Sequence, residues 1–296
     1  MLRVGVVGLG AIARKAYLPV LATRPDLELH LCTRNTATLV EVGDAYRVPH
    51  RHVDLDGLLA AGVDAAFVHA ATVAHPALVE RLLAAGVHVY VDKPLADTYA
   101  DAERLVRVAQ RAGRSLLVGF NRRHAPSYAA LRNLPRDLIL MQKNRVGLPD
   151  RPRTVVFDDF IHVADTLRFL GPDEASHVDI RTLVRDGLLH HVVLQLSGTG
   201  WTAIGVMNRV GGSVEEVVEA MGQGSKRVVR NLAEVVDHRD AEVLTRRDDW
   251  TPVARQRGIE QICDAFLTAV RDGHVLDAED ALRTHALCER IVGAAG

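Results

Sequence analysis

Lysine is scarce in this chain of 296 residues: only Lys15, Lys93, Lys143 and Lys226 appear among 36 basic residues. Each is therefore informative. Lys93 follows the apolar β-type run HVYV and stands between Asp92 and Pro94. The proline biases it toward an extended backbone, and the carboxyl ends of strands in a parallel sheet are where ligands bind. A lysine held there, partly out of water and near a positive charge, gives up its proton more readily and can exchange protons near neutrality. A plain ion pair with Asp92 or a phosphate is the alternative use. A second group is Asp158, His162 and Asp165, spaced i, i+4, i+7 opposite an apolar helical face of Phe160, Val163, Ala164 and Leu167. An imidazole beside carboxylates is a ready general base, although this periodicity equally describes an ordinary solvated face.

A third constellation is built for binding. The strand-type run RVGVVG leads into Gly8-Leu9-Gly10-Ala11-Ile12-Ala13 and then a helix-type stretch, giving G-x-G-x-x-A between strand and helix. Gly8 permits the tight turn, Gly10 lets backbone approach a pyrophosphate, and Ala13 allows close helix packing. Ala11 and Ile12 open the helix, whose free N–H groups attract phosphate. The glycine spacing argues against reading MLRVGVVGLGAIA as a secretory leader. Dinucleotide folds specific for NAD carry an acid after the second strand; here the residues are Cys32-Thr33-Arg34-Asn35. Arg34 suits a 2′-phosphate, with Thr33 and Asn35 adding hydrogen bonds, which favours NADP and leaves NAD as the alternative. A solvated arginine at a loop is the plainer reading.

These residues need a scaffold. Buried β-type runs near 3–8, 27–33, 64–70, 87–92 and 115–120 alternate with helical stretches near 11–23, 37–46, 75–85 and 98–112. That alternation predicts an α/β Rossmann domain, a doubly wound parallel sheet, over residues 1–121. Thr98 is the expected cap of the last helix and Gly113 its end. Residues 122–296 read as an α+β domain for substrate binding and oligomerisation, with a large, mostly antiparallel open sheet. Its strands include 138–146 and several between 176 and 246, with turns at Asp186-Gly187, Gly198-Thr199-Gly200 and Gly211-Gly212, before two closing helices near 257–272 and 278–293.

The stretch DAAFVHAATVAHPALVERLLAAGVHVYVDKPLA, with GFNRRHAPSY after it and Asp158-Asp159-Phe160-Ile161-His162-Val163-Ala164-Asp165 further on, resembles the Gfo/Idh/MocA family of sugar and cyclitol oxidoreductases. VHAAT, DKPLA and LMQKNRV most resemble its virulence factor MviM-like branch. The resemblance spans nearly the whole chain. It implies cofactor contacts at Ala70, Ala71, His75, Asp92 and Lys93, and catalytic roles for Lys93, Asp158 and His162. Asn121, Arg122, Lys143 and Asp165 become the expected substrate contacts, with Asp165 accepting from a substrate hydroxyl; Arg122, Arg123, Lys143 and Arg145 also suit an anionic substrate such as a sugar acid or phosphate. Three departures matter: Asp92 replaces glutamate, Ala70-Ala71 replaces a Thr-Pro turn, and Phe160 stands where the family carries glycine and narrows the room for substrate.

A net charge of -1 excludes the basic field that duplex binding needs. No apolar run reaches the ~18 residues of a membrane span. Cys32, Cys263 and Cys288 form no C-x-x-C pair, so neither a disulfide framework nor a metal centre is expected, and a cytoplasmic location fits. The combined expectation is an NAD(P)-dependent dehydrogenase or reductase, acting on a polyhydroxy or keto compound and assembled as a homodimer or dimer of dimers. A non-catalytic NADP-binding regulator or scaffold is the competing class.

Overall fold

The computed structural model describes all residues, Met1–Gly296. The chain divides into two compact units: Met1–Gly119 with Ile259–Leu282, and Phe120–Gly258 with Arg283–Gly296. A single cut at 121/122 does not capture the return of residues 259–282 to the first unit.

The first unit holds six strands: β1 (Leu2–Val7), β2 (Leu27–Cys32), β3 (His50–His52), β4 (Ala65–Val68), β5 (His88–Val91) and β6 (Leu116–Val118). They pair in the order β3-β2-β1-β4-β5-β6, all parallel. The order reverses beside β1, which puts a ligand crevice between the β1 and β4 ends. Val4, Val6, Ala65, Ala66, Phe67, Val68, Val89 and Val91 are fully buried, as strands covered on both faces require. The crossover helices are α1 (Leu18–Leu21), entered through the π-helical turn Ala13–Tyr17, then α2 (Thr36–Ala45), α3 (Leu55–Ala60), α4 (His75–Ala84) and α5 (Tyr99–Ala112). Thr98 caps α5 by accepting from the Asp101 N–H at 3.2 Å, and Gly113 ends it in the left-handed region at φ 60°. The short β3 and α3 lie outside the predicted elements: three residues show too little alternation to read as a strand.

In the second unit a short helix, α6 (Pro126–Ala129), precedes β7 (Leu138–Asn144); α7 (Pro152–Val155), the π-helical turn Val156–Phe160 and α8 (Ile161–Leu170) run together. Seven strands follow: β8 (His177–Arg185), β9 (Leu188–Gly198), β10 (Trp201–Asn208), β11 (Glu215–Gly222), β12 (Ser225–Arg230), β13 (Glu234–His238) and β14 (Glu242–Arg246). The helices α9 (Val253–Gln256), α10 (Ile259–Arg271) and α11 (Glu279–Ala294) close the chain. The sheet order is β14-β13-β12-β11-β7-β10-β9-β8, antiparallel except for the parallel β7/β10 pair. Asp186-Gly187 and Gly198-Thr199-Gly200 turn hairpins as expected. Gly211-Gly212 does not, because β7 lies between β10 and β11.

One face of this sheet is buried: Ile139 and Met141 of β7, Ala203 and Met207 of β10, and Val218 of β11 are all inaccessible. Helix α8 lies on it closely enough that a Cβ at Gly205 would meet Val163 Cγ1 at 2.4 Å. The sheet thus fixes the height of α8, which carries His162. On the opposite face Leu140, Val193, Ile204, Val206 and Val217 are only half-buried.

Candidate active site

In the first unit a cleft of about 600 Å³ opens at the ends of β1, β2 and β4. Gly8, Gly10, Thr33, Arg34, Ala70 and Ala71, six of the predicted cofactor residues, line it. Gly8 has φ +89°, and a Cβ there would lie 2.6 Å from the Ala70 nitrogen. Only glycine fits that position. At Gly10 a Cβ would meet nothing within 4 Å, so its missing side chain enlarges the cleft rather than relieving protein packing. Ala11 and Ile12 are exposed at the helix start, where N–H groups are free. This is a cradle for a pyrophosphate, and the residues present fit a dinucleotide.

Arg34 makes no hydrogen bond or ion pair within the chain, which leaves its guanidinium available to the cleft. Asn35 is spent locally: its side chain caps α2 by accepting from the Thr38 N–H at 3.0 Å. The carboxylate that does line the cleft, Asp54, caps α3 through the Gly57 N–H at 2.8 Å. Sequence reading missed Ala74, Ala77, Leu78 and Arg81, which also line the cleft. Their i, i+3, i+4, i+7 spacing marks one face of a helix and was the available signal.

His75 does not face the cleft. Its ring is 1% exposed, with Nδ1 at 2.9 Å from the Pro94 carbonyl and Nε2 at 3.0 Å from the Ala70 carbonyl. It thereby ties the turn after β4 to the turn after β5, where Lys93 stands. The Lys93 N–H donates to Asp92 Oδ1 at 2.9 Å. Burial pushes the Asp92 carboxyl above its ordinary range, against the pull of Lys93 and His75. His69, at the end of β4, is held neutral by burial, its pKa pushed down to about 3, with its ring 4.0 Å from that of Tyr17.

In the second unit Asp158 is exposed on the π-helical turn and His162 is half-buried on α8. Asp165 does not share their environment. It is 1% exposed and accepts from Arg123 Nε at 2.9 Å and Thr284 Oγ1 at 3.0 Å. Its carboxylate is thus taken up within the unit: α8 is buried almost all round, and Asp165 anchors it to neighbouring residues. Phe160, fully buried, fills the core of this unit.

The expected substrate contacts are likewise engaged within the protein. Asn121 Nδ2 donates to the Arg257 carbonyl at 2.7 Å. Arg122 pairs with Glu216 through two 2.7 Å bonds, and the Tyr128 hydroxyl donates to the same carboxylate at 3.0 Å. Burial alone would raise the Glu216 carboxyl, but Arg122 outweighs it and holds the group at about 2. Lys143, 3% exposed, contacts Asp159 at 2.5 Å, and Arg145 and Arg209 reach the same carboxylate at 2.8 and 2.7 Å. Burial, then Arg122, pushes the Lys143 ammonium down to about 7, while Asp159 pulls it back. Lys143, Arg145 and Arg209 are thus all drawn to the Asp159 carboxylate, next to the exposed Asp158.

Two outcomes follow. Gly8→Ala should destabilise the protein by about 1–3 kcal/mol through strain, whereas Gly10→Val should leave the unfolding temperature unchanged and abolish dinucleotide binding. Equal thermal stability of the two variants would contradict this account of the cleft. For the buried pair, Glu216 has a folded pKa below its ordinary value, so its stabilisation is complete above about pH 4.5 and drains away toward pH 2. Glu216→Gln should cost about 3–5 kcal/mol at pH 7 by leaving Arg122 uncompensated, and should flatten that acid limb in denaturant titrations. A loss below about 1 kcal/mol would mean that the pair is worth no more than an exposed one.

Residues 2–120 match the GFO_IDH_MocA family model, described as an oxidoreductase family with an NAD-binding Rossmann fold. YceM of Salmonella typhimurium is 35% identical, covering 99% of this chain and 96% of its own. An inositol 2-dehydrogenase of Acidiphilium cryptum is 31% identical over 58% of this chain and 55% of its own. Among solved structures, a Gfo/Idh/MocA family oxidoreductase from Vibrio cholerae is 34% identical with a TM-score of 0.93, covering 99% of this chain and 97% of that one. A dehydrogenase (MviM) from Clostridium difficile is 29% identical, also at TM-score 0.93, covering 99% of both. With the parallel sheet, the glycine turn and the strand-end lysine already in place, the family-model match and the three matches that span nearly the whole chain show that it belongs to the Gfo/Idh/MocA family of oxidoreductases.

Proposed function

We propose that this member of the MviM-like branch is an NADP-preferring dehydrogenase or reductase of a sugar, cyclitol or related polyhydroxy or keto compound. The observation that carries the cofactor preference is Arg34, unpaired at the rim of the cleft beside Thr33, with the one nearby carboxylate, Asp54, committed to capping α3. Gly8 and Gly10 would receive the pyrophosphate, and Ala70 and Ala71, which line the same cleft, would border the nucleotide. The substrate class rests on relatives such as the inositol 2-dehydrogenase.

When bound, the nicotinamide accepts or donates a hydride at its C4 carbon. The protein's part is proton handling. His162 takes the hydroxyl proton during oxidation, Asp158 orients the imidazole and stabilises its charged form, and Lys93 lowers the alcohol's pKa; in reduction the roles reverse. The buried His75 ring, lodged between the Ala70 and Pro94 carbonyls with a single N–H to donate in its neutral form, sets the position of the Lys93 backbone. The half-buried apolar face of the second sheet supports pairing of two chains about a two-fold axis, in a dimer or dimer of dimers. The three free, buried cysteines suit a reducing cytoplasm.

In fluorescence titrations NADPH should bind about ten- to a hundredfold tighter than NADH, the worth of one charge-assisted contact, and Arg34→Asp should narrow or invert the gap. NADH binding as tightly as NADPH would overturn the preference. His162→Ala should lower turnover by about 10²–10⁴ with NADPH affinity within a few fold. Undiminished turnover in that variant would return His162 to a structural role and favour a scaffold. Light scattering at micromolar concentration should report a multiple of the chain mass, and a stable monomer would exclude the sheet-to-sheet pairing.

A further inference from the structure

The edge of the parallel sheet, away from the glycine turn, gathers four ligating side chains that the oxidoreductase chemistry does not use. Glu28 and His30 on β2, and His50 and His52 on β3, are each two residues apart, so all four side chains project from one face of the paired strands, where His30 lies opposite His50. His30 is 3% exposed, and its Nε2 lies 3.0 Å from Glu28 Oε1. One donor atom each from Glu28, His30 and His50 lies within 4.8 Å of the other two. The His50 ring stacks on that of His30 at 4.4 Å, and His30 Nδ1 lies 3.1 Å from His52 Nε2.

We propose that Glu28, His30 and His50 form a binding site for a divalent transition metal of the zinc class. Two imidazoles and a carboxylate are a recurrent three-ligand set for zinc, with water in the fourth position. Donor atoms around a tetrahedral zinc stand roughly 3.3 Å apart, given bonds of about 2.0–2.2 Å. The Glu28–His30 pair already has that spacing. The remaining contraction falls on His50, whose ring is exposed to solvent on the side away from its stack with His30 and must turn toward Nε2 of His30 to close the set. His30 supplies the fixed ligand because it is buried and held from behind. With the ion on Nε2, its Nδ1–H donates to His52 Nε2, the outer hydrogen bond that fixes the tautomer of a metal-bound histidine. Cysteine spacing cannot reveal such a site, since its ligands come from two strands twenty residues apart, as E-x-H and H-x-H. A structural link to the cleft exists: the Thr33 N–H donates to the His52 carbonyl at 3.1 Å, so an ion that stiffens β3 also stiffens the cleft wall.

The test is calorimetric titration of Zn²⁺ into chelator-stripped, tag-free, full-length protein, with and without saturating NADPH. One equivalent should bind with micromolar or tighter affinity in both cases. His52→Ala should weaken binding by about ten- to a hundredfold, as loss of an outer partner does; His50→Ala and Glu28→Gln should weaken it more, with unfolding temperatures in the metal-free state unchanged because both residues reach solvent. Absence of saturable Zn²⁺ binding overturns the site. So does binding that survives both His50→Ala and Glu28→Gln undiminished. Neither result bears on the nucleotide cleft.

Discussion

At Gly8 the chain leaving β1 passes so close to the backbone after β4 that a Cβ would stand 2.6 Å from the Ala70 nitrogen and 2.8 Å from the His69 carbonyl carbon. That approach brings the β1 turn and the β4 turn together as adjacent walls, and leaves the following helix to start just after Gly10 with its first N–H groups free. A side chain at residue 8 would separate the walls, and the crevice at the point of strand-order reversal would lose its shape. His75 extends the same constraint by one strand. Its two ring nitrogens span the Ala70 and Pro94 carbonyls, so the turn that meets Gly8 is also joined to the turn that carries Lys93.

The second unit solves a different problem, which is to keep charged side chains inside a packed structure. Arg122 and Glu216 are both nearly inaccessible and satisfy each other in a two-bond fork, with Tyr128 taking up part of the remaining oxygen capacity. Asp165 draws Arg123 and Thr284 to one carboxylate, and Asp159 draws Lys143, Arg145 and Arg209 to another. These pairs anchor the helical segment that bears Asp158 and His162, while Gly205 lets α8 rest on the sheet. Burying such pairs gives limited net stability, but breaking one is costly. They are best understood as fixing where the helix lies.

Much of this was legible in the sequence because its causes are local. Strands buried on both faces show as unbroken apolar runs, Thr98 and Gly113 bracket α5, and the glycine turn announces itself by its context. Partners far along the chain leave no such local mark. Asp165, Arg122 and Lys143 look like ligand contacts in a one-dimensional reading, because the side chains that neutralise them lie far along the chain; Glu216, for example, is on β11 while Arg122 precedes α6. The strand β3 was invisible for want of length, and with it the His50 and His52 side chains that complete the cluster on β2. The crossing of β7 between β10 and β11 leaves no local mark, since Gly211-Gly212 has the composition of a hairpin turn whatever the strands on either side pair with.

The cleft of the first unit, taken as a site for a dinucleotide carrying a 2′-phosphate, is the claim on which the functional account stands. Its most direct test uses adenosine fragments that lack the nicotinamide altogether, because these report the glycine turn and the Thr33-Arg34 wall without any contribution from substrate or chemistry. In calorimetric titrations 2′,5′-ADP should bind about tenfold or more tightly than 5′-AMP, the increment of one guanidinium–phosphate contact, and Arg34→Asp should erase the difference. If 5′-AMP binds as well as 2′,5′-ADP in the unsubstituted protein, Arg34 does not read the ribose and the NADP assignment is contradicted.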